Sequence, residues 1–346
     1  MRRALNDRHR SIATQDKRTH MPKAIQNICD AALAGRALLA EEALALIPLL
    51  PSHLSAIVAA AGLTLGPERF TCGIINAKSG RCTENCAFCA QSRHHETHTP
   101  AYPLVSEEVL LRRANALAKC GIKRMGIVTA GVGLGKKDFE LVCAAARRIR
   151  REVGIELCAS LGALTTEKAR GLREAGFGSY HHNLETARSF YPSVCSTQDY
   201  EARCNTVLCA KEAGMRVCSG ALFGLGESFA QRVELSQTLQ ELQVDSIPVN
   251  FLMPIPGTPL ESARPLNAAE GLSILALLRL MHPRRDIVLC GGRTTTLGAW
   301  DSLGLFSCAN GVMVGDYLTE KGGALERDMA LVRDLVGFRR GADVAE

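Results

Sequence analysis

Aromatic residues are scarce in this chain of 346 residues: they make up 5% of the sequence and include one tryptophan, Trp300. No uninterrupted run reaches the roughly 18 apolar residues of a membrane-spanning helix, and the N-terminal residues lack the apolar segment of a secretory signal. Internal repeats and linker-like segments are absent as well. We therefore expect a cytoplasmic protein with no membrane partner.

Excess positive charge is concentrated at one end of the chain. The formal net charge is +6, and residues 1–20 hold six Lys or Arg and two Asp, which leaves +2 for the remaining 326 residues. A nearly neutral body argues against nucleic-acid binding, which depends on neutralising phosphates. The basic leader contains Asp7 and Asp16, which transit peptides avoid. Residues 1–28 are therefore predicted to form a disordered N-terminal extension, and Met21 is an alternative start.

Apolar runs alternate with amphipathic stretches along most of the sequence. Residues 29–64 have the pattern of two or three Ala- and Leu-rich helices, broken at Pro48 and Pro51. Further helices are predicted at 106–119, 137–153, 166–175, 200–213, 228–242 and 268–281. The predicted strands are 70–76, 124–129, 155–160, 178–183, 216–221, 246–251, 286–290 and 310–314. Eight strands that alternate with helices predict a parallel (β/α)8 TIM-type barrel with an N-terminal helical extension.

An open, doubly wound sheet is the alternative fold. No G-x-G-x-x-G motif follows the first predicted strand, which makes this alternative less favourable. Because no linker divides the barrel pattern, residues 29–346 are predicted to form a single domain. In such a barrel the catalytic residues lie at the carboxyl ends of the strands.

Three of the fourteen cysteines, Cys82, Cys86 and Cys89, stand in one short loop with the spacing C-x3-C-x2-C. Three thiolates can hold three irons of a [4Fe–4S] cluster and leave the fourth iron open for a small-molecule chelate. Zinc sites usually require a second pair of ligands, and electron-carrying clusters use four cysteines. The spacing resembles the signature of radical S-adenosylmethionine enzymes, and the loop follows the first predicted strand, at the catalytic end of the barrel.

Further motifs resemble those of the biotin synthase family over roughly residues 65–320. They are S-G-R-C at 79–82, C-A-Q-S at 89–92, Y-H-H-N-L-E-T at 180–186, V-C-S-G at 217–220, G-L-G-E at 224–227, P-V-N-F-L at 248–252, P-G-T-P-L at 256–260 and C-G-G-R at 290–293. The resemblance implies insertion of sulfur between two unactivated carbons of dethiobiotin, after a radical made from S-adenosylmethionine abstracts hydrogen. The implied cofactors are the [4Fe–4S] cluster, S-adenosylmethionine and a sulfur-donating auxiliary cluster, [2Fe–2S] or larger.

The resemblance also implies roles for single residues. Phe88 precedes the last loop cysteine, where the family places an aromatic ring beside the adenine. Asn183 matches an asparagine near substrate and cofactor, and Glu185 stands where an acidic residue, more often Asp, binds the ribose hydroxyls. His181 occupies a substrate-binding position usually held by Asn and brings a titratable proton. Asn250 matches a contact to the ureido ring, for which an amide offers both a donor and an acceptor.

The auxiliary-cluster residues depart from the family pattern of three barrel cysteines and one arginine. Cys158 and Cys218 match two of the cysteines, and Arg293 matches the arginine. Gly126 stands where the third cysteine is expected, and Cys290 is available as a substitute. Because alternate barrel strands contribute side chains to one interior layer, we hypothesise that Cys158, Cys218 and Cys290 hold the auxiliary cluster. Arg293 would lie nearby.

The alternative for Cys290 is a small buried apolar residue. The eight cysteines outside the loop and this set, Cys72 among them, receive no role. Two other functions also stay open: a radical S-adenosylmethionine enzyme of maturase or mutase type acting on another small molecule, and an iron–sulfur carrier. The partners that the resemblance implies are dethiobiotin, a flavodoxin- or ferredoxin-type electron donor, the iron–sulfur assembly machinery and a second copy in a homodimer.

Overall fold

The computed structural model of the chain describes residues 21–315 and 325–342. Its β-strands are Phe70–Lys78 (β1), Arg124–Thr129 (β2), Glu156–Ser160 (β3), Phe177–His181 (β4), Arg216–Cys218 (β5), Ala221–Phe223 (β6), Ser246–Phe251 (β7), Asp286–Leu289 (β8) and Gly311–Met313 (β9). Its α-helices are Lys23–Leu33 (α1), Ala40–Leu44 (α2), Leu50–Leu63 (α3), Glu107–Lys119 (α4), Lys136–Glu152 (α5), Thr166–Ala175 (α6), Tyr200–Glu212 (α7), Phe229–Glu241 (α8), Ala268–Met281 (α9), Arg293–Leu297 (α10), Asp301–Ser307 (α11) and Leu325–Ala342 (α12). The elements predicted after residue 64 are all present close to their predicted bounds.

The strands form one closed parallel barrel. Their order is β5-β4-β3-β2-β1-β9-β8-β7-β6, and the pairing of Cys218 with Ser246 joins β5 to β7 and closes the ring. β5 and β6 are the two halves of one barrel strand, so the barrel has eight strands. The strand is interrupted because β7 approaches closely: a Cβ atom at Gly220 would lie 2.1 Å from the carbonyl oxygen of Pro248. The predicted (β/α)8 fold is confirmed.

The crossover helices bury one apolar face against the barrel. In α5, Val142, Ala145 and Ile149 recur at helical spacing and are fully buried. The side chains of Ser228 and Asn267 cap α8 and α9 by accepting hydrogen bonds from backbone N–H groups of the first turn. These helices hold the strand register, on which the geometry of the barrel interior depends.

The N-terminal helices belong to the folded body. Ile25 and Ile28 of α1 are buried, and α1 packs against α3. The predicted disordered extension is therefore wrong for residues 23–28, because two isoleucines three residues apart give α1 an apolar face that packs in the core. Residues 1–20 lie outside the described residues.

Residues 40–63 are apolar and long enough, by composition alone, to cross a membrane, within the part of the chain that the structure describes. This stretch is divided into α2, a 3₁₀ turn at Ile47–Leu49 and α3, with non-helical dihedral angles at His53. Ile57, Val58 and Ala61 are buried, and α3 packs against α1, α9 and α11. The apolar side chains of this stretch therefore pack against neighbouring helices.

His282, at the C-terminal end of α9, is expected to make the fold sensitive to acid. Its Nε2 atom lies 2.9 Å from the Ser236 hydroxyl oxygen. Burial, together with the charges of Arg279 and Arg285, lowers the pKa of His282 to about 3. Because an unfolded histidine titrates near 6.5, the unfolded state binds more protons between these values, and stability falls as the pH falls through this window. Between pH 7.5 and 5 we expect this residue to cost about 2 kcal/mol.

Urea unfolding at pH 7.5 and pH 5 measures this loss. The variant His282→Gln is expected to lose less stability over the same range, by about 2 kcal/mol. His53→Gln, at a partly exposed position of α3, is the control and should lose as much stability as the unmodified protein. Equal losses for His282→Gln and the unmodified protein would contradict the prediction.

Candidate active site

A cavity of about 450 Å³ occupies the barrel interior. Cys82, Cys86 and Cys89, in the loop after β1, line one part of it, whereas Cys72 and Arg124, near the beginnings of β1 and β2, line another. All strands run in the same direction, so the cysteine loop lies at their carboxyl ends and Cys72 lies deeper. The cavity therefore extends from the catalytic end of the barrel into its centre.

Local backbone contacts shape the cysteine loop. Arg81 has a φ of 55°, which turns the chain directly before the first cysteine. Cys82 donates its N–H to the carbonyl oxygen of Gln91 at 2.9 Å, and Cys89 donates to the carbonyl oxygen of Cys86 at 2.9 Å. The loop is thus closed on itself, and it presents all three thiols to the cavity.

Two histidines support this loop without acting as metal ligands. Nε2 of His94 lies 2.9 Å from the Thr83 carbonyl oxygen, and Nδ1 of His95 lies 2.9 Å from that of Cys89. Among the residues that the structure describes, no three His, Cys, Asp or Glu side chains converge on a position for a single metal ion. Three separated thiols of one loop fit the corners of an iron–sulfur cluster better than a zinc tetrahedron.

Cys86 is the most buried thiol of the loop, with 7% exposure. It shares a hydrogen bond with Cys195, and Nη2 of Arg203 lies 4.0 Å from its sulfur. The contact with Cys195 and burial raise the pKa of the Cys86 thiol, whereas the charge of Arg203 favours the thiolate. Burial also raises the pKa of Cys89 to about 11. Iron binding must therefore displace protons from these thiols, and Arg203 compensates the negative charge that results.

Arg203 is a site residue that sequence reasoning missed. Its Nε donates to the Tyr191 hydroxyl at 2.7 Å, its Nη1 donates to the Asn183 carbonyl oxygen at 2.9 Å, and Nη1 also lies 3.6 Å from the Glu185 carboxylate. The signal in the sequence is the position of Arg203 in α7, where it stands at helical spacing among residues that are buried. The other buried residues of α7 are Tyr200, Cys204, Thr206, Val207 and Ala210.

Glu185 is held in an uncommon backbone conformation. Its φ is 70°, in the left-handed region that non-glycine residues rarely adopt, and such strain often accompanies functional sites. Nδ2 of Asn183 lies 3.5 Å from its carboxylate, and Oδ1 of Asn183 accepts from the Gly220 N–H at 3.2 Å. Burial raises the pKa of Glu185, and Arg203 opposes this effect. Asn183 and Glu185 both line the cavity, as does Phe88.

His181 and Asn250 line the cavity. Nδ1 of His181 lies 3.1 Å from the Ser160 hydroxyl oxygen, and burial lowers the pKa of His181 to about 4. Its imidazole is therefore neutral near pH 7, and the titratable proton expected from the sequence is not available there. Asn250 donates to the Ala221 carbonyl oxygen at 3.2 Å and accepts from the Gly291 N–H at 3.1 Å. These bonds fix the amide and leave one N–H and one lone pair for a ligand.

The three barrel cysteines of the hypothesis face the same cavity. Cys158 lies on the third barrel strand, Cys218 on the fifth and Cys290 directly after the seventh, and all three line the interior. Gly126, on the second strand, lines it as well, but a Cβ atom there would lie 3.0 Å from Cγ2 of Ile74. The second strand thus carries no thiol at this position, and a side chain there would require Ile74 to shift slightly.

Arg293 does not lie beside the barrel cysteines, where the sequence predicted it. It begins α10, and its guanidinium binds the carboxylates of Asp301 and Asp328; all three side chains are at most 2% exposed. The turn at Gly292, with a φ of 73°, carries the chain away from the strand before Arg293 is reached. Arg293 does not line the cavity, and its ion pairs direct the guanidinium toward α11 and α12, so the geometry does not support a place for it beside the auxiliary cluster. Three other arginines line the cavity, Arg124, Arg203 and Arg216, and Arg124 stands at the inner end of β2.

Comparisons with known proteins agree with this architecture. Residues 77–239 match the Radical SAM superfamily, and residues 248–337 match the Biotin and Thiamin Synthesis associated domain. Methylornithine synthase has the same fold, with a TM-score of 0.75 at 23% identity over 89% of this chain and 95% of that one. The FeFe-hydrogenase maturase from Carboxydothermus hydrogenoformans gives 0.76 at 19% identity over 90% and 78%. The barrel and its cysteine loop thus define an enzyme of the radical S-adenosylmethionine class.

Curated relatives identify the family within this class. The biotin synthase of Nitratidesulfovibrio vulgaris (strain DP4) is 53% identical over 299 residues, which are 85% of this chain and 83% of the relative. That of Geotalea daltonii is 47% identical over 320 residues, 91% of this chain and 97% of the relative. The chain belongs to the biotin synthase family, which implies a [4Fe–4S] cluster, S-adenosylmethionine and an auxiliary iron–sulfur cluster as its cofactors.

Proposed function

We propose that this enzyme inserts sulfur between two unactivated carbons of dethiobiotin and so forms biotin. The observation that carries the proposal is the continuous cavity, which joins the cysteine loop at the catalytic end to buried thiols in the barrel centre. A substrate held between them is within reach of both. When bound, the [4Fe–4S] cluster supplies the electron that cleaves S-adenosylmethionine, and the auxiliary cluster supplies the sulfur.

The cysteine loop provides three thiolate ligands for the [4Fe–4S] cluster. Cys82, Cys86 and Cys89 would hold three irons of the [4Fe–4S] cluster, and the fourth iron would stay open for the chelating end of S-adenosylmethionine. Arg203 stabilises the thiolate of Cys86 from 4.0 Å. Because Arg203 is buried and bonded to Tyr191 and Asn183, its charge is fixed in place and links the cluster loop to the cofactor-binding residues.

Glu185, Asn183 and Phe88 bind the nucleoside part of the cofactor. A carboxylate that accepts hydrogen bonds from two hydroxyl groups is a common solution for ribose recognition, and Glu185 is held toward the cavity by its backbone conformation and by Asn183. Phe88 offers an aromatic face for the adenine. The side chain of Glu185 is longer than the Asp usual in the family.

Replacing Glu185 by Gln is expected to weaken the binding of S-adenosylmethionine about tenfold, because hydrogen bonds to a charged acceptor are roughly twice as strong as neutral ones. Equilibrium dialysis with the cluster-loaded protein measures the dissociation constant. The affinity for dethiobiotin serves as the internal control and should change little. An unchanged affinity for S-adenosylmethionine would remove Glu185 from the ribose site.

Asn250, His181 and Asn183 position the ureido ring of dethiobiotin. The free donor and acceptor of the Asn250 amide match the N–H and carbonyl groups of a cyclic urea. His181 is neutral, with its pKa lowered to about 4, so it serves as a hydrogen-bonding group and keeps one protonation state near neutral pH. Apolar residues such as Val128 and Leu222 line the same cavity and limit access of water to the reacting carbons.

The partners follow from the chemistry of the proposed reaction. Delivery of single electrons calls for a one-electron donor of flavodoxin or ferredoxin type, and replacement of the donated sulfur calls for the iron–sulfur assembly machinery. We also propose a homodimer in the cytoplasm. Analytical ultracentrifugation of the cluster-loaded protein tests the oligomeric state directly.

The decisive experiment uses anaerobically purified protein with reconstituted clusters. It is incubated with dethiobiotin, S-adenosylmethionine and a strong reductant, and the products are identified by mass spectrometry. Formation of biotin together with 5′-deoxyadenosine is the expected result. Deoxyadenosine without biotin would retain the reaction class and refute the substrate.

A further inference from the structure

Cys72 is a fourth thiol in the barrel centre, and no role follows for it from the sequence. It lies on β1, the first barrel strand, and lines the cavity together with Cys158, Cys218 and Cys290. Electrostatic interactions connect the four cysteines: Cys72 interacts with each of the other three, and so does Cys218. The four thiols therefore form one cluster of side chains, which we call the barrel thiol set.

Three members of the barrel thiol set follow the layer rule of eight-stranded barrels, and the fourth, Cys290, lies one layer nearer the carboxyl ends of the strands. A layer consists of four inward-pointing side chains from alternate strands. Cys72, Cys158, Cys218 and Cys290 come from the first, third, fifth and seventh strands of the barrel. The strand register places Cys72, Cys158 and Cys218 in one layer with Val288, and Cys290 follows two residues after Val288. The four thiols therefore occupy two adjacent layers of the barrel interior, which an isolated packing residue would not explain.

Small residues on the intervening strands leave space between the four thiols. Gly126, Ser179 and Ser246 line the cavity from the second, fourth and sixth strands. Their side chains occupy little volume, so the centre of the barrel is open where most barrels are filled by branched apolar residues. A hollow space lined by sulfur is suited to hold an inorganic group.

The barrel thiol set also differs from the packing cysteines of the same protein. Cys143, Cys204 and Cys308 belong to the continuous hydrophobic core. Cys72, Cys158, Cys218 and Cys290 do not belong to that core and face the cavity instead. Apolar packing therefore accounts for the first group of cysteines but not for the second.

A positive charge lies beside the barrel thiol set. Arg124 lines the cavity, and the charges of Cys72 and Cys158 act on it. Its Nε lies 3.2 Å from the Glu156 carboxylate, and its guanidinium lies over the ring of Phe70 at 5.1 Å. These contacts hold the guanidinium near the thiols, where it offsets the charge of thiolate ligands.

We propose that Cys72 is the fourth protein ligand of the auxiliary cluster, so that the cluster is bound by thiolates alone, from Cys72, Cys158, Cys218 and Cys290. This inference rests on the auxiliary cluster of the proposed function. Cys72 replaces the ligand that the family pattern places on the second strand, and Arg293 is not a ligand. Four-thiolate sets are the usual binding sites of iron–sulfur clusters.

The test removes the loop cluster first. In full-length protein with Cys82→Ala, Cys86→Ala and Cys89→Ala, the iron that remains after anaerobic reconstitution reports the auxiliary cluster alone. Iron and acid-labile sulfide per chain and the Mössbauer spectrum are measured with and without Cys72→Ala. We expect Cys72→Ala to lose most of this iron, as Cys218→Ala should, since loss of even an outer-shell partner lowers metal affinity about 10–100-fold.

Two further variants separate ligation from folding. Cys143→Ala removes a core cysteine and should retain the full iron content. Cys72→Ser keeps nearly the same volume, and it should retain the circular dichroism spectrum of the parent while its iron content or Mössbauer isomer shift changes. An unchanged iron content and spectrum in both Cys72 variants would overturn the inference, as would a parent without auxiliary iron. A Cys72-dependent cluster in a protein that forms no biotin would uphold the inference and refute only the proposed substrate.

Discussion

Replacing Cys86 by Ala is expected to abolish reductive cleavage of S-adenosylmethionine, with a loss of at least about a hundredfold, since removal of even an outer-shell partner costs a metal site about 10–100-fold. Cys86 is the most buried thiol of the loop, and its thiolate faces the fixed charge of Arg203. No other ligand of the loop can replace it, because Cys82 and Cys89 would hold two irons only. The rate of 5′-deoxyadenosine formation with excess dithionite measures the effect.

Cys195 provides the matched control for Cys86. It is also buried and shares a hydrogen bond with Cys86, but it lies outside the C-x3-C-x2-C spacing. Cys195→Ala is therefore expected to retain the iron of the loop cluster and the cleavage of S-adenosylmethionine. If Cys195→Ala lost the iron and Cys86→Ala kept it, the assignment of the ligands from the motif would be refuted.

The second large effect concerns stability. Arg293→Ala is expected to destabilise the protein by about 3–5 kcal/mol, because it leaves two carboxylates buried without their cation. Arg293 binds Asp301 and Asp328, which joins α10 to α11 and α12 in a site that is almost inaccessible to solvent. Burial already raises the pKa of Asp301, and Arg293 opposes this effect. Urea unfolding of the variant and the unmodified protein at pH 7.5 measures the difference.

Arg327 is the control for Arg293, since it also lies near Asp301, at 3.9 Å, but is 56% exposed. Exposed ion pairs contribute about 0–1 kcal/mol, so Arg327→Ala should have little effect. The iron content of Arg293→Ala gives a second readout. Normal stability combined with loss of the auxiliary iron would restore Arg293 to the cluster site and refute its structural role.

The fold could be predicted from the sequence because each of its signals is local. Apolar runs at 124–129 and 246–251 predicted β2 and β7 at their observed bounds, and the alternation of strands with helices allowed few arrangements other than a parallel barrel. The split of the fifth barrel strand was not predictable in this way. It depends on the approach of Pro248 to Gly220, which are distant in sequence and meet only when the barrel closes.

The catalytic loop could likewise be predicted, since its three cysteines lie within eight residues and their spacing alone limits the chemistry. Arg203 and Cys72 could not, because each acts on residues that belong to other elements. An arginine on a helix or a cysteine on a strand can pack against many different residues. The burial pattern of its own element does not show which residues these are. The position of the Arg293 side chain could not be predicted for the same reason, since a turn at Gly292 separates Arg293 from the strand.

The sequence by itself determined the barrel, the position of the cysteine loop at its catalytic end and the family resemblance, because these depend on periodicity and on spacings of a few residues. Only the tertiary structure decided which side chains meet inside the barrel. It brought Cys72, Cys158, Cys218 and Cys290 into one cavity and directed Arg293 toward Asp301 and Asp328. The physical reason is that such contacts depend on strand register and on the turns that follow each strand, and closure of the whole barrel sets both.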